Sequence, residues 1–364
     1  MENRLKVGIT HGDVNGVSYE LIIKLLAENR VCELCTPILY GSPKVAAYYR
    51  KVLNAENTNF NPINAPGEAN AKRANIIHCV DDNLKVDLGK ETEESADAAI
   101  VALNSALHHL DKNEIDIVIM TPQGEESFAR TGTKNFPDYL AKHYNTPEIM
   151  TILVSEQMKV SCITENTNLR DVPLYVTMQN ISRKLQMLNN SLKIDFTISK
   201  PKIAVLALNP LPGGTGEDET RAIIPAIEQV RKRGVMALGP FPADRFFSSR
   251  AHEKFDAVLT MHHDQGTIPF HSLSRSAGAA YITGLAGICA FSLDTPGWSI
   301  VGRGTADEQG VRNALYLATD VYTHRKRNLR LLKNPLPHYD VAANNNESDL
   351  NVEQIEGIKE EFEP

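Results

Sequence analysis

The densest chemistry in the sequence is His262-His263-Asp264-Gln265-Gly266, directly after the apolar run Ala257 to Met261. A histidine beside a carboxylate at a strand end can bind a metal or move a proton, with the acid orienting the ring. A hydrogen-bonded turn that opens a helix with Asp264 as N-cap also explains these residues, and spacing alone favours that plainer reading. Cys32-x-x-Cys35 has the form of half a zinc ribbon, but no second pair or nearby histidine completes it, so two buried small hydrophobes beside a turn are expected. Gly213-Gly214-Thr215-Gly216 before Glu217 can cradle a phosphate or serve only as a linker; Glu217, Asp218 and Glu219 in the first helical turn would repel an anion. Gly302-Arg303-Gly304 lacks the third glycine and the preceding βαβ context of a dinucleotide fingerprint.

These residues need elements to hold them. Short β-branched runs alternate with helix-length amphipathic segments, the pattern of α/β layering around a largely parallel sheet. Expected strands are Leu5 to Ile9, Pro37 to Tyr40, Ile115 to Met120, Met150 to Val154, Ile203 to Leu208, Ala257 to Met261 and Ala279 to Thr283. Expected helices are Tyr19 to Ala27, Ser95 to His109, Glu217 to Lys232 and Gly310 to Arg327. In the last, Val311, Leu315, Ala318, Val321 and Tyr322 fall on one stripe. Gly12-Asp13-Val14-Asn15-Gly16 and Asn209-Pro210-Leu211-Pro212-Gly213-Gly214 follow strands, where open α/β sheets place ligands.

Composition bounds the function. At 364 residues the chain exceeds a single small module, and 42% apolar and 23% charged residues describe an ordinary globular protein. A net charge of -7 leaves no basic surplus for nucleic-acid phosphates. No uncharged run approaches a membrane span, no signal peptide is read at the N-terminus, and five scattered cysteines argue for reduced thiols. We therefore expect a cytoplasmic protein without nucleic-acid or membrane partners. Residues 342-364 are polar and acidic and read as a poorly ordered tail.

Taken in order, Ile9-Thr10-His11-Gly12-Asp13-Val14-Asn15-Gly16, Leu208-Asn209-Pro210, Gly239-Pro240-Phe241-Pro242-Ala243-Asp244 with Phe247, and His263-Asp264-Gln265-Gly266 resemble the 4-hydroxythreonine-4-phosphate dehydrogenase family of pyridoxal phosphate biosynthesis, over roughly Lys6 to Arg327. The resemblance implies a homodimer with a two-lobed, isocitrate/isopropylmalate dehydrogenase-like, non-Rossmann α/β fold. One lobe would comprise residues 1-125 plus 300-335. The other, carrying dimer contacts, would comprise 126-299, with the cleft between them. It also implies an oxidoreductase using NAD and a divalent metal, held by three histidines from both subunits, that polarises the substrate hydroxyl.

Several matching positions carry other chemistry. Of the three histidines only His263 is present; Asn166 and Leu211 stand at the other two places. Glu125 replaces a cation, Phe136-Pro137-Asp138-Tyr139 lacks the family's His-Thr pair, His271 replaces a lysine and Ala280 an asparagine. The family's Arg-Thr-Ser falls near Cys289 to Ser292, and its Asp-His-Gly-Thr-Ala loop has become Asp294-Thr295-Pro296-Gly297-Trp298. Asp244, His263 and Asp264 remain as candidate catalytic residues. Losing even an outer partner of a metal ligand typically lowers affinity or activity about ten- to a hundredfold. The expectation is a family member whose metal-dependent oxidation is lost or reduced, with metal and NAD both in question. Two other readings stay open: a non-catalytic partner of an active paralogue, and a metal-independent enzyme acting on a different phosphorylated or hydroxy-acid substrate through His263 and Asp264.

Overall fold

The computed structural model describes residues 4–27, 30–55, 58–210, 216–274 and 278–333; the acidic segment 342-364 lies outside them. Among these residues twelve strands form one sheet: β1 (Lys6–Thr10), β2 (Thr36–Gly41), β3 (Phe60–Ile63), β4 (Ala74–His78), β5 (Ile117–Met120), β6 (Met150–Val154), β7 (Lys159–Cys162), β8 (Lys202–Leu206), β9 (Met236–Phe241), β10 (Ala257–Thr260), β11 (Ala279–Thr283) and β12 (Ile288–Ser292). Their order is β3-β4-β2-β1-β5-β12-β11-β6-β7-β10-β8-β9. β3, β4, β2, β1, β5 and β12 run parallel to their neighbours, as do β7, β10, β8 and β9. Between these blocks β12/β11, β11/β6 and β6/β7 are antiparallel. This is the mixed α/β architecture expected from the alternation of short runs and amphipathic segments.

Central strands are buried on both faces, so they read as near-continuous apolar runs. Val7, Ile9, Ile117, Ile119, Ile203, Val205 and Leu259 are all fully buried. β9 escaped the pattern because it pairs only with β8, and Met236 and Leu238 remain exposed. Helices start where capping chemistry allows. Ser42 accepts from Val45 N–H ahead of Pro43–Val52, Thr92 and Ser95 form a reciprocal box at Glu93–Asp111, and Thr177 caps Met178–Ile194. The segment expected as one helix from Glu217 begins instead with a wide π turn, Glu219–Ile223, and turns α at Ile224–Arg231. Pro225 explains the change, because it lacks the N–H an α turn would need there.

The chain divides into a compact unit 1–325 and a second unit 326–364, whose described residues 326–333 include the end of the helix Gln309–Leu332. Within the first unit that helix buries Val311, Leu315, Ala318 and Val321, with Tyr322 partly buried. The stripe read from sequence is therefore real. No described helix is long and apolar enough to cross a membrane.

Candidate functional site

Where the antiparallel centre meets the parallel block ending in β5 and β12, strand ends and two helices enclose a cavity of about 330 Å³. The turn after β5 forms its floor and is fixed from three sides. Thr121 Oγ1 donates to Thr10 O at 2.8 Å, Ser18 Oγ donates to Pro122 O at 2.6 Å, and Asp13 N–H donates to the same carbonyl at 2.9 Å. Gly12 sits at φ +60°, and a Cβ there would stand 2.3 Å from Pro122 O, so only glycine allows this approach. The Thr10-His11-Gly12-Asp13 motif thus acts as a clamp on the cavity floor. Asp13 also accepts from Asn15 N–H at 2.9 Å and from Trp298 Nε1 at 2.6 Å, which ties down the loop that begins at Asp294.

The helix His263–Ser274 supplies another wall. His263, Thr267 and His271 recur every four residues and all three line the cavity, as helical periodicity requires. Gly266 lets this helix pack on β7, since a Cβ would come within 2.7 Å of Val160. Gln265 bridges two strand ends: its Oε1 accepts from Met261 N–H at 2.8 Å and its Nε2 donates to Ala207 O at 2.6 Å. Asp264 is not the N-cap expected from spacing; the helix already begins at His263, and Asp264 lies exposed in its first turn. Asp244 is likewise exposed, on the short helix Ala243–Ser248, and neither acid lines the cavity. Of the three candidate catalytic residues, His263 alone does.

The third wall comes from β6, β7 and the segment after β7. Glu165 accepts from Thr151 Oγ1 at 3.1 Å, and Asn166 follows it on the cavity edge. Cys162 lies below, fully buried, with Thr260 Oγ1 donating to its sulfur at 3.1 Å; burial pushes the thiol up to about 12, so it stays protonated and unreactive. Lys184 donates to Cys162 O at 3.2 Å, and burial lowers its pKa against the pull of Glu165. Asn135, whose Oδ1 accepts from Asp138 N–H, caps the helix Phe136–His143 and delivers Phe136 to the cavity.

Other sequence candidates have structural roles. Cys32 and Cys35 are buried free thiols, as expected for small hydrophobes. Glu219, expected in a first helical turn where it would repel an anion, is fully buried and accepts from Asn209 N–H at 2.8 Å and Asn209 Nδ2 at 3.0 Å, holding the Asn209-Pro210 loop. Leu211 and Gly213-Gly214-Thr215 lie outside the described residues. Ala280 and Cys289 are buried in the core and do not line the cavity.

The family model described as "Pyridoxal phosphate biosynthetic protein PdxA" matches residues 33–318. The chain belongs to the PdxA family. It is 36% identical, over 92% of its own length and 93% of the relative's, to the 4-hydroxythreonine-4-phosphate dehydrogenase of Bacteroides thetaiotaomicron. It is 31% identical to the D-threonate 4-phosphate dehydrogenase of Cupriavidus necator, over 88% of this chain and 98% of that one. Among solved structures, a 4-hydroxythreonine-4-phosphate dehydrogenase from Burkholderia phymatum superposes with a TM-score of 0.71 at 28% identity, covering 88% of this chain and 99% of that one. The resemblance on four motifs was therefore a correct guide to family and fold. The donor set implied for a divalent metal does not fit in this PdxA-family chain: the positions offer an exposed imidazole at His263, an exposed amide at Asn166 and, at Leu211, a side chain with no lone pair.

Proposed function

We propose that this PdxA-family protein binds a small molecule in the cavity but has lost, or carries only in reduced form, the metal-dependent oxidation of a phosphorylated hydroxy acid. One observation carries this reading: one imidazole, an amide and an isobutyl group cannot grip a divalent cation as three imidazoles do. Supporting it, Glu125, Glu165 and Asp294 line the cavity, and Lys134 is the one lysine among its described lining residues. The relatives' names specify phosphorylated substrates, and such a lining disfavours a phosphate dianion. The test is an assay of purified protein with 4-phosphohydroxythreonine, NAD and magnesium or zinc. No or very slow NADH formation is expected; turnover at the rate of an ordinary dehydrogenase would overturn the proposal.

For the assembly we propose a homodimer. Leu169, Leu174, Tyr175 and Met178 are large apolar side chains gathered within ten residues, and Leu174 is 73% exposed. Such a patch marks an interaction surface. Light scattering after size exclusion should give twice the chain mass, shifting toward the monomer in Leu174→Glu. A dimer insensitive to that substitution would remove this surface from the proposal.

A further inference from the structure

The last helix, Gln309–Leu332, ends in apolar side chains that nothing among the described residues covers. Leu329, Leu331 and Leu332 are 64%, 65% and 62% exposed. Leu329 and Leu332, three residues apart, share one side of the helix. Lys326, Arg330 and Lys333 recur at the same kind of spacing and form a basic row beside them. Arg330 and Lys333 make no ion pair among the described residues. Cations near a helix C-terminus are ordinary, since they answer its dipole. Three exposed leucines in four residues are not, and such a cluster marks a surface that binds something.

A complement to this surface lies in the same unit, 326–364. From Glu347 to Glu363 the sequence carries seven carboxylates and one lysine, Lys359. Val352, Ile355, Ile358 and Phe362 recur every three or four residues, the spacing of one helical stripe. Glu353, Glu356 and Glu363 each come one residue after a member of that stripe, as Arg330 comes after Leu329 and Lys333 after Leu332. The acidic row and the basic row thus flank their apolar stripes on the same side. In two antiparallel helices equal flanks face each other, so a return of the chain brings opposite charges together.

The connection is long enough for that return. Thirteen residues, 334–346, join the two segments, and a flexible chain of that length spans roughly 20 Å. Packed helix axes need only about 8–10 Å. Pro335 and Pro337 oppose continuation of the helix and favour a change of direction there. Tethering sets an effective concentration on the order of millimolar, so contacts too weak to hold two separate molecules suffice.

We propose that the acidic C-terminal segment 347–363 docks back on the end of the last helix as an antiparallel hairpin, its apolar stripe on Leu329 and Leu332 and its carboxylates toward Arg330 and Lys333. The segment is then an internal cover over a surface of the kind that takes acidic partners. Hydrogen exchange of the full chain at pH 7 and low salt, read by mass spectrometry, tests this. Amides of 347–363 should exchange at least about tenfold more slowly than in a synthetic peptide of the same sequence. Arg330→Glu/Lys333→Glu should abolish the slowing, and adding Glu353→Lys/Glu356→Lys should restore it. All four positions are proposed as surface contacts of the hairpin, so the melting temperature of the rest of the chain should not change.

The proposal is overturned if the segment exchanges at the peptide's rate in the parent, or if charge reversal leaves the slowing intact. Slowing that vanishes on dilution would assign the cover to a second copy and likewise overturn it. Sedimentation with phosphatidylglycerol vesicles covers the remaining alternative: binding of the parent chain would make an anionic lipid surface the occupant, and no binding is expected.

Discussion

At the scale of single residues, the cavity offers an amide at Asn166, imidazoles at His263 and His271 and a carboxylate at Glu125. The burial of the Gln123 amide, without a partner among the described residues, is not legible in the order of residues, because nothing in a sequence distinguishes a buried unpaired amide from a solvated one. If the donor set alone removed the metal, returning it should restore binding. The double variant Asn166→His/Leu211→His should bind zinc at least about tenfold more tightly than the parent in a competition titration. Equal zinc affinity of parent and variant would show that the backbone no longer brings these positions together.

At the scale of elements, the signature motifs prove to be joints. The Thr10 to Asn15 loop clamps Pro122, Gln265 ties β10 to β8, and Glu219 fixes Asn209. Motif retention therefore speaks first for the fold. Core substitutions are among the most destabilising changes, so joints and cores persist wherever the protein must stay folded, whatever its chemistry. Gly12→Ala should cost about 1–3 kcal/mol in urea unfolding, from positive φ and from the clash with Pro122 O. A loss below a few tenths of a kcal/mol would mean that the loop relaxes and is no clamp.

At the scale of the whole molecule, one buried histidine makes stability depend on pH. His11 is fully buried; its Nε2–H donates to Ala98 O at 3.2 Å, Nδ1 has no partner among the described residues, and burial lowers its pKa to about 4. The unfolded chain takes up a proton near pH 6.5 while the folded chain resists until about pH 4. Its contribution is thus fully present above pH 6.5 and is lost as pH falls toward 4, by up to about 3 kcal/mol. Unfolding free energies at pH 7 and pH 4.5 should diverge less in His11→Asn than in the parent; an unchanged difference would place the acid sensitivity elsewhere.

Amino-acid order alone determined much of this protein. Apolar runs and amphipathic stripes set the α/β class, and four ordered motifs set the family, because periodicity and local turn chemistry act over a few residues. It also fixed the chemistry available at position 211, since a leucine side chain has no lone pair to donate. Only the tertiary structure decided that Asp244 and Asp264 stand exposed off the cavity, that Glu219 is a buried clamp, and that Gln123 and Asp294 follow the ends of adjacent strands. The last of these depends on pairing β5 with β12, residues far apart in the chain. Burial and unmet hydrogen bonds arise from such long-range contacts, which no local pattern records.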